Sequence, residues 1–445
     1  MRLNCIQNLS SFDRNHRGIS RLDMDVSIRG IASLPGDKSI SHRAVILSSI
    51  ADGECTIRNM ATGKDLGSTI EAVTALGVDV SGPENGILQV QGIGMNNFVE
   101  PDHVLDCGNA GTSLRLLLGM LSGSNVAATL DGDKSLRKRP VNRVAIPLRQ
   151  MGAHIDMTDR GTCPVDVDGN RLKGIGYALP VASAQVKSAI LLASLNADGE
   201  TEVTEPTPTR DHTERMLISL GVPLTTSDCR VMTGPTDRIP AFEMDVPGDI
   251  SSAAFIVIAA LLLPNSEVVI ENICLNPTRC GYLQILRRMG ADVMTDQIEI
   301  KRGEPVGKLF VRASELHSAR CDDIPVATFI DEVTVLALAA TQAEGVTRIP
   351  NLGELRVKES DRLTGIVSIL AAAGARIHVD KDDLVVYGPT KLFPSNFDTR
   401  GDHRLAMLVE TINLLSGEGL SKQYGDELAV SFPEYYYVME SLLVG

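Results

Sequence analysis

Apolar positions along this chain fall into two alternating arrangements. In the first, a polar turn opens a helix rich in small and apolar residues, and a polar break then leads into a strand. Gly36-Asp37-Lys38 precedes Ala44-Val45-Ile46-Leu47 in this way, and the unit closes in Ala51 to Ile57. The order returns after Gly108-Asn109-Ala110-Gly111-Thr112, Ala182-Ser183-Ala184-Gln185, Pro247-Gly248-Asp249, Ile330-Asp331-Glu332 and Gly401-Asp402-His403-Arg404. The second arrangement is an amphipathic helix that ends in glycine and runs into a short strand. Leu66, Ile70, Val73 and Leu76 have the 3–4 spacing of one buried helix face, and Gly77 suits a left-handed C-terminal cap. Equivalent endings fall at Gly152, Gly221, Gly290 and Gly374.

Six units of the first kind, spaced at roughly 65–80 residues, form an internal repeat whose members are each too small to bury a core alone. Units one and four both open with Pro-Gly-Asp, which divides an α/β chain into two halves of three units. A short alternating strand through Met24, Val26 and Ile28 leads into the first unit. If three units pack around a pseudo-threefold axis, their first helices run parallel and aim their N-termini one way. Two such halves face to face enclose a cleft ringed by helix N-termini, whose free N–H groups and dipoles attract anions.

Composition narrows the partners. With 445 residues, 43% of them hydrophobic, the chain supports two or more domains. Its longest apolar run, Ala253 to Leu263, is too short to span a bilayer. Residues 1–22 lack the apolar core of a signal peptide and read as a tail. Eight cysteines without a Cys-x-x-Cys pair indicate neither a disulfide framework nor a zinc site, which fits a reducing cytoplasm. A net charge of −14 argues against nucleic acid and anionic membrane as partners. An anionic small substrate remains open if the basic residues converge in one cleft.

The candidate chemistry lies at the helix starts. Asp37 or Ser39 can cap the first helix, with Lys38 and Arg43 in or beside its opening turns. Gly111 lets a backbone approach a ligand closely. In the loop Asp133–Pro140, Lys134, Arg137 and Lys138 read as solvated, whereas Arg139, held by Pro140, is the better ligand candidate. Ser183, Gln185 and Lys187 suit helix capping and surface polarity as readily as binding; Arg210 adds a cation before a later helix. Asp331 and Glu332 are ordinary first-turn carboxylates. Glu354 to Arg362 alternates in charge before an apolar helix, and Lys358, Glu359 and Arg362 are expected to span one helical turn. That would set anion-binding cations beside a carboxylic acid.

Leu34-Pro-Gly-Asp-Lys-Ser-Ile-Ser-His-Arg43, Gly108-Asn-Ala-Gly-Thr112, Lys138-Arg-Pro140, Ala182-Ser-Ala-Gln-Val-Lys-Ser-Ala189, Arg356-Val-Lys-Glu-Ser-Asp-Arg362 and Asp402-His-Arg404 together resemble the 5-enolpyruvylshikimate-3-phosphate synthase family. The likeness runs from about residue 24 through nearly the whole chain, in the family's order. It implies an inside-out α/β architecture of two globules, each of three βαβαββ units. One globule would hold residues 35–246 and the other 1–34 plus 247–445, with the site between them. It also implies transfer of the enolpyruvyl group of phosphoenolpyruvate to shikimate 3-phosphate by a cytoplasmic monomer that needs no cofactor or metal. By position, Lys38, Ser39, Arg43, Ser183, Gln185, Arg210, Asp331 and Lys358 would meet shikimate 3-phosphate. Lys38, Asn109, Gly111, Arg139, Gln185, Arg362 and Arg404 would meet phosphoenolpyruvate, the three arginines clamping its phosphate and carboxylate. Asp331 would be the base and Glu359 the acid, with Lys38 also counted as catalytic.

Three positions depart from the pattern. Val430 stands where many relatives place a phosphoenolpyruvate-binding Lys, and Glu354 replaces an Asn used on shikimate 3-phosphate. Gly111 occupies the position of an Ala in glyphosate-tolerant members of the branch that Ala182–Gln185 and Arg210–Thr213 resemble. A methyl there is expected to point into the space that glyphosate fills. The related UDP-N-acetylglucosamine enolpyruvyl transferases carry a Cys in the loop ending Arg-Pro, and residues 133–140 contain none. A phosphometabolite-binding protein without catalysis would not need both Asp331 and Glu359. A P-loop kinase is disfavoured by the missing Gly-x4-Gly-Lys-Ser/Thr.

Overall fold

The computed structural model describes residues 26–444 apart from 85 and 395. The tail 1–22 and Met24 lie outside them. Thirteen helices follow in order among the described residues. The first half holds α1 (Lys38–Ser49), α2 (Lys64–Ala75), α3 (Gly111–Ser122), α4 (Asn142–Gln150), α5 (Ala184–Ser194) and α6 (His212–Ser219). The second holds α7 (Ile250–Leu262), α8 (Gly281–Arg288), α9 (Val333–Gln342), α10 (Arg362–Ala372), α11 (His403–Leu415), α12 (Gly425–Leu428) and α13 (Tyr435–Leu442).

Local chemistry sets these boundaries. Asp37 accepts from the Ile40 N–H at 3.0 Å at the start of α1, and Asp249 from the Ser251 N–H at 2.8 Å at the start of α7. Ser183 and Asp402 cap α5 and α11 in the same manner. These side chains satisfy amides that a helix start leaves without partners. At the other ends, Gly77, Gly152, Gly221, Gly290 and Gly374 all have φ between 82° and 104°, the left-handed stop that the glycine pattern predicts.

Helices of the two arrangements pack differently. α7 is buried at every residue, and α1 from Ile40 to Ser49. The glycine-ended helices bury one face. The sheets lie outside the buried helices and remain open, with no closed strand barrel among the described residues. Two hydrophobic cores result. One joins Ile28–Leu34 to apolar residues between Ile250 and Leu442; the other runs from Ile40 to Val246, with Cys274.

The cores exchange their leading strands. Strand Ser27–Ser33 runs directly into α1 yet pairs in parallel with Glu267–Cys274 of the second half. Strand Glu243–Asp245, which leads toward α7, pairs in parallel with Ala51–Arg58 of the first. The two Pro-Gly-Asp turns therefore cross side by side: the Asp37 N–H donates to Pro247 O at 2.7 Å and the Asp249 N–H to Pro35 O at 3.1 Å.

Two expectations need correction. Among the described residues the leading strand occupies 27–33, taking in Ile28 but not Val26, and Ile31 within it is 65% exposed, because the outer sheet face meets solvent. The βαβαββ pattern is complete in the first four units and reduced in the last two. Unit five keeps a three-stranded sheet of Gly345–Ile349, Arg376–Asp380 and Asp383–Gly388. Unit six replaces its strands with α12, α13 and the two-residue strand Leu443–Val444, which pairs with Ser27–Ile28. No helix among the described residues is long and apolar enough to cross a membrane.

Candidate active site

A cavity of about 680 Å³ opens between the halves, where the starts of α1, α3, α5, α9 and α11 converge. Every residue that the resemblance placed in the site lines it except Arg362.

On the first half, Arg43 lies 4% exposed one turn into α1. Its guanidinium donates to Thr213 Oγ1 at 2.7 Å, Ser188 Oγ at 2.8 Å and Ser39 O at 2.9 Å. Among the described residues no carboxylate pairs with it, and burial lowers it to about 10. Arg139 is similar: it donates to Asn109 Oδ1 at 2.5 Å and to Ser135 Oγ at 3.2 Å, and its Nε is buried without a partner. A buried cation held only by neutral oxygens keeps most of its field for an incoming anion.

Lys38 is held by Asp65, with Nζ to Oδ2 at 2.8 Å. Burial works to lower the ammonium, but Asp65 and then Glu359 outweigh it and leave it raised. Ser183 caps α5, and Gln185 donates to Thr112 Oγ1 at 3.0 Å, tying α5 to α3 at the cavity wall. Arg137 pairs with Asp131, so its solvated reading fits. Lys187 is neither a surface group nor a site group. It is 1% exposed and clasped by Glu205 at 2.7 Å and Glu214 at 2.6 Å.

On the second half, Asp331 is the meeting point. Arg210 pairs with it across the cleft, Lys358 Nζ lies at 3.4 Å and Arg362 Nη1 at 3.5 Å. Arg404 Nη1 donates to the Asp331 carbonyl at 2.9 Å. Burial would raise the Asp331 carboxyl, yet Lys358, Arg210, Arg404 and Arg362 carry it well below the usual carboxylate range. Glu359 is likewise pulled well below, burial being outweighed by Arg362, His403, Arg139 and Lys38.

Arg362 is the exception to the converging set. It is 1% exposed and stands behind the wall, where it pairs with Asp402 at 2.9 Å and with Glu359. The expected helical turn also fails: Asp361 caps α10 by accepting from the Thr364 N–H at 3.1 Å, so the helix begins at Arg362. Lys358 and Glu359 sit on the loop before it. The charges still meet, through that loop. Gly111 needs a correction as well. A Cβ there points at Arg115 Nη1 at 2.5 Å and Arg139 Nη1 at 3.3 Å, not into open cavity.

Some wall residues carried no obvious sequence signal. Arg115 lies one turn after Gly111, donates to Gly111 O at 2.9 Å, and is lowered to about 10 by burial, then by Arg139. A lone cation inside an apolar helix was the available clue. Arg143 pairs with Glu354 from across the cleft at 3.2 Å, so the departure at Glu354 has a local partner. His403 lines the cavity, and burial, then Lys38, lowers it to about 3. No group of three or more His, Cys, Asp or Glu side chains among the described residues is placed to hold a metal ion.

Known proteins resemble the whole chain. The profile of EPSP synthase (3-phosphoshikimate 1-carboxyvinyltransferase) matches residues 22–439. A 3-phosphoshikimate 1-carboxyvinyltransferase of Roseiflexus castenholzii is 46% identical over 421 residues, covering 93% of this chain and 97% of that one. The enzyme of that name from Desulforudis audaxviator is 43% identical over 416 residues, with the same coverage. The structure of EPSP synthase from Acinetobacter baumannii superposes with a TM-score of 0.82 at 38% identity, covering 94% of this chain and 98% of that one. The enolpyruvyl transferase NikO of Streptomyces tendae shares the fold, with a TM-score of 0.73 at 18% identity over 94% and 96% of the two chains. The chain belongs to the EPSP synthase (3-phosphoshikimate 1-carboxyvinyltransferase) family and is an enolpyruvyl transferase of the shikimate pathway.

Proposed function

We propose that this cleft joins phosphoenolpyruvate to the 5-hydroxyl of shikimate 3-phosphate and releases inorganic phosphate. The observation that carries the assignment is a pair of buried guanidiniums, Arg43 and Arg139, that lack carboxylate partners among the described residues, with Asp331 and Glu359 on the opposite wall. Two anions and two proton transfers need such a set. Residues 35–246 and 26–34 plus 247–444 act as the two globules, and the enzyme works as a cytoplasmic monomer.

Shikimate 3-phosphate would bind through Arg43, Ser183, Gln185 and Arg210, with Ser39, Lys38 and Lys358 beside it. Phosphoenolpyruvate would lie along Asn109 and Gly111, its phosphate and carboxylate taken by Arg139, Arg404, Lys38 and Gln185. Arg362 serves by holding Asp331, Glu359 and Asp402 in register, since its own donors are already engaged.

In the addition step, Glu359 gives its proton to C3 of phosphoenolpyruvate, C2 becomes electrophilic, and the 5-oxygen bonds to C2 as its proton passes to Asp331. In the elimination step, C3 returns a proton to the Glu359 carboxylate as the C2–O bond to phosphate breaks, and the phosphate leaves with that electron pair and takes up the proton held by Asp331, leaving the enolpyruvyl ether. Glu359 is ionised while Arg362, Arg139 and Lys38 face it. The phosphate and carboxylate of phosphoenolpyruvate neutralise Lys38 and Arg139, so substrate binding itself raises Glu359 toward its acid form.

Phosphate release measured with phosphoenolpyruvate and shikimate 3-phosphate tests this. Release with this pair, and none with UDP-N-acetylglucosamine in place of shikimate 3-phosphate, is expected. The reverse preference would overturn the substrate assignment.

A further inference from the structure

The start of α2 is capped from the far end of the chain. Gly63 occupies its N-cap at φ −68° and ψ 155° and has no side chain with which to accept from the first-turn amides. The acceptors come from the segment after α12: the Lys64 N–H donates to Ala429 O at 3.1 Å, and the Asp65 N–H points to Val430 O at 3.5 Å. Thr62 Oγ1 adds a hydrogen bond to Glu434 Oε2 at 2.8 Å.

The approach depends on a missing Cβ. A methyl on Gly63 would overlap Val430 O and lie 2.9 Å from both Ser431 Cα and the Val430 carbonyl carbon. These are backbone atoms, which cannot rotate aside. Immediately beyond, Asp65 in the first turn of α2 accepts from Lys38 Nζ, and both residues line the cavity. A chain of contacts thus runs from the 429–431 backbone through the α2 start and Asp65 to Lys38.

We infer that Gly63 and the backbone of 429–431 form a latch between the two halves of the chain, which positions Asp65 and, through it, the Lys38 ammonium. Gly63 is a positioning residue: it touches no substrate and acts through Asp65. The latch rests on the proposed reaction only in making Lys38 a substrate contact; the geometry of the latch is independent of it.

Amide hydrogen exchange on the full-length wild-type protein tests the latch directly. First-turn amides of a helix normally exchange freely, so slow exchange at Lys64 and Asp65 is expected, and free exchange at both would overturn the inference. Competitive labelling with an amine-reactive anhydride reads the second link. In Gly63→Ala, Lys38 should label faster than in wild type, and kcat/KM for phosphoenolpyruvate should fall about tenfold or more, the scale of one charge-assisted hydrogen bond. Asp65→Asn should reproduce both changes while Lys64 remains protected. Wild-type Lys38 reactivity and kcat/KM in a folded Gly63→Ala protein would overturn the inference. If Gly63→Ala does not fold, Thr62→Val takes its place, with faster exchange at Lys64 expected and unchanged exchange counting against the latch. Protected amides in a wild-type protein that releases no phosphate would sink the reaction and leave the latch standing.

Discussion

Arg279 holds the crossing where the two halves exchange strands, and replacing it with Met gives a prediction that can be worked through. Its guanidinium is 2% exposed and lies between two buried carboxylates, Asp37 Oδ2 at 2.8 Å and Asp249 Oδ1 at 3.3 Å. It also donates to Ser251 Oγ at 2.7 Å. One cation serves two anions, and they divide unequally. Burial would raise Asp37, but Arg279, then His212, carry it well below the usual range; Asp249 is pushed up by burial and by Asp37 itself. In the wild type, Asp37 therefore contributes stability above its unfolded value near pH 4, lost only in strong acid. Asp249 has the opposite sign, and its contribution is lost as pH rises through its raised value.

Arg279→Met removes the cation nearest to both buried carboxylates, a change that costs about 3–5 kcal/mol in a buried pair. For a globule of about 200 residues this lowers Tm by roughly 6–20 °C. The loss must grow with pH. Asp249, already raised in the wild type, rises further without Arg279, so the variant loses stability, at up to about 1.4 kcal/mol per pH unit, as pH climbs from the unfolded toward the folded value of this carboxyl. Calorimetric melts of wild type and variant at pH 5.5 and 7.5 measure both effects, and adding Asp249→Asn should restore part of the loss. A Tm within 2 °C of wild type, or an equal loss at the two pH values, would refute the reasoning.

Three further outcomes are expected. Asp331→Asn and Glu359→Gln should each lower kcat by about 100-fold or more with smaller changes in substrate affinity, since both act in proton transfer; near wild-type turnover in steady-state kinetics would remove the assignment. Glyphosate should inhibit competitively with phosphoenolpyruvate, and Gly111→Ala should become tolerant with a raised phosphoenolpyruvate KM, because the methyl displaces Arg115 and then Arg139; equal inhibition curves for the two proteins would count against it. Glu354→Gln should shift stability by less than about 1 kcal/mol in a denaturant melt, because the Arg143–Glu354 pair is 42% and 46% exposed at its side chains.

Much of the architecture could be read before the coordinates, for local reasons. The five terminal glycines and the acidic or serine caps act within one turn, so their pattern survives any tertiary context. Pro-Gly-Asp at 35–37 and 247–249 marked both chain crossings. What remained hidden depends on partners distant in sequence. Asp361 and Thr364 start α10 one turn later than the charge pattern implied, and Asp402, forty residues on, draws Arg362 behind the cavity wall. Arg115 reads as one polar position in an apolar helix until α3 turns it toward Arg139. The strand 27–33 could not be assigned its depth, because its neighbour 267–274 is more than two hundred residues away. The erosion of the sixth unit left no mark, since the capped start of α11 keeps the motif intact.

Protonation of C3 of phosphoenolpyruvate by Glu359, and loss of a proton from C3 as phosphate departs, can be measured directly. The methyl group formed in between rotates freely, so the proton lost need not be the proton gained. Product made by the wild-type enzyme in D2O and measured by NMR should therefore carry deuterium in its vinylic methylene, and Glu359→Gln should form product and label about 100-fold more slowly or less. Full conversion to product with an unlabelled methylene would contradict addition–elimination in this cleft.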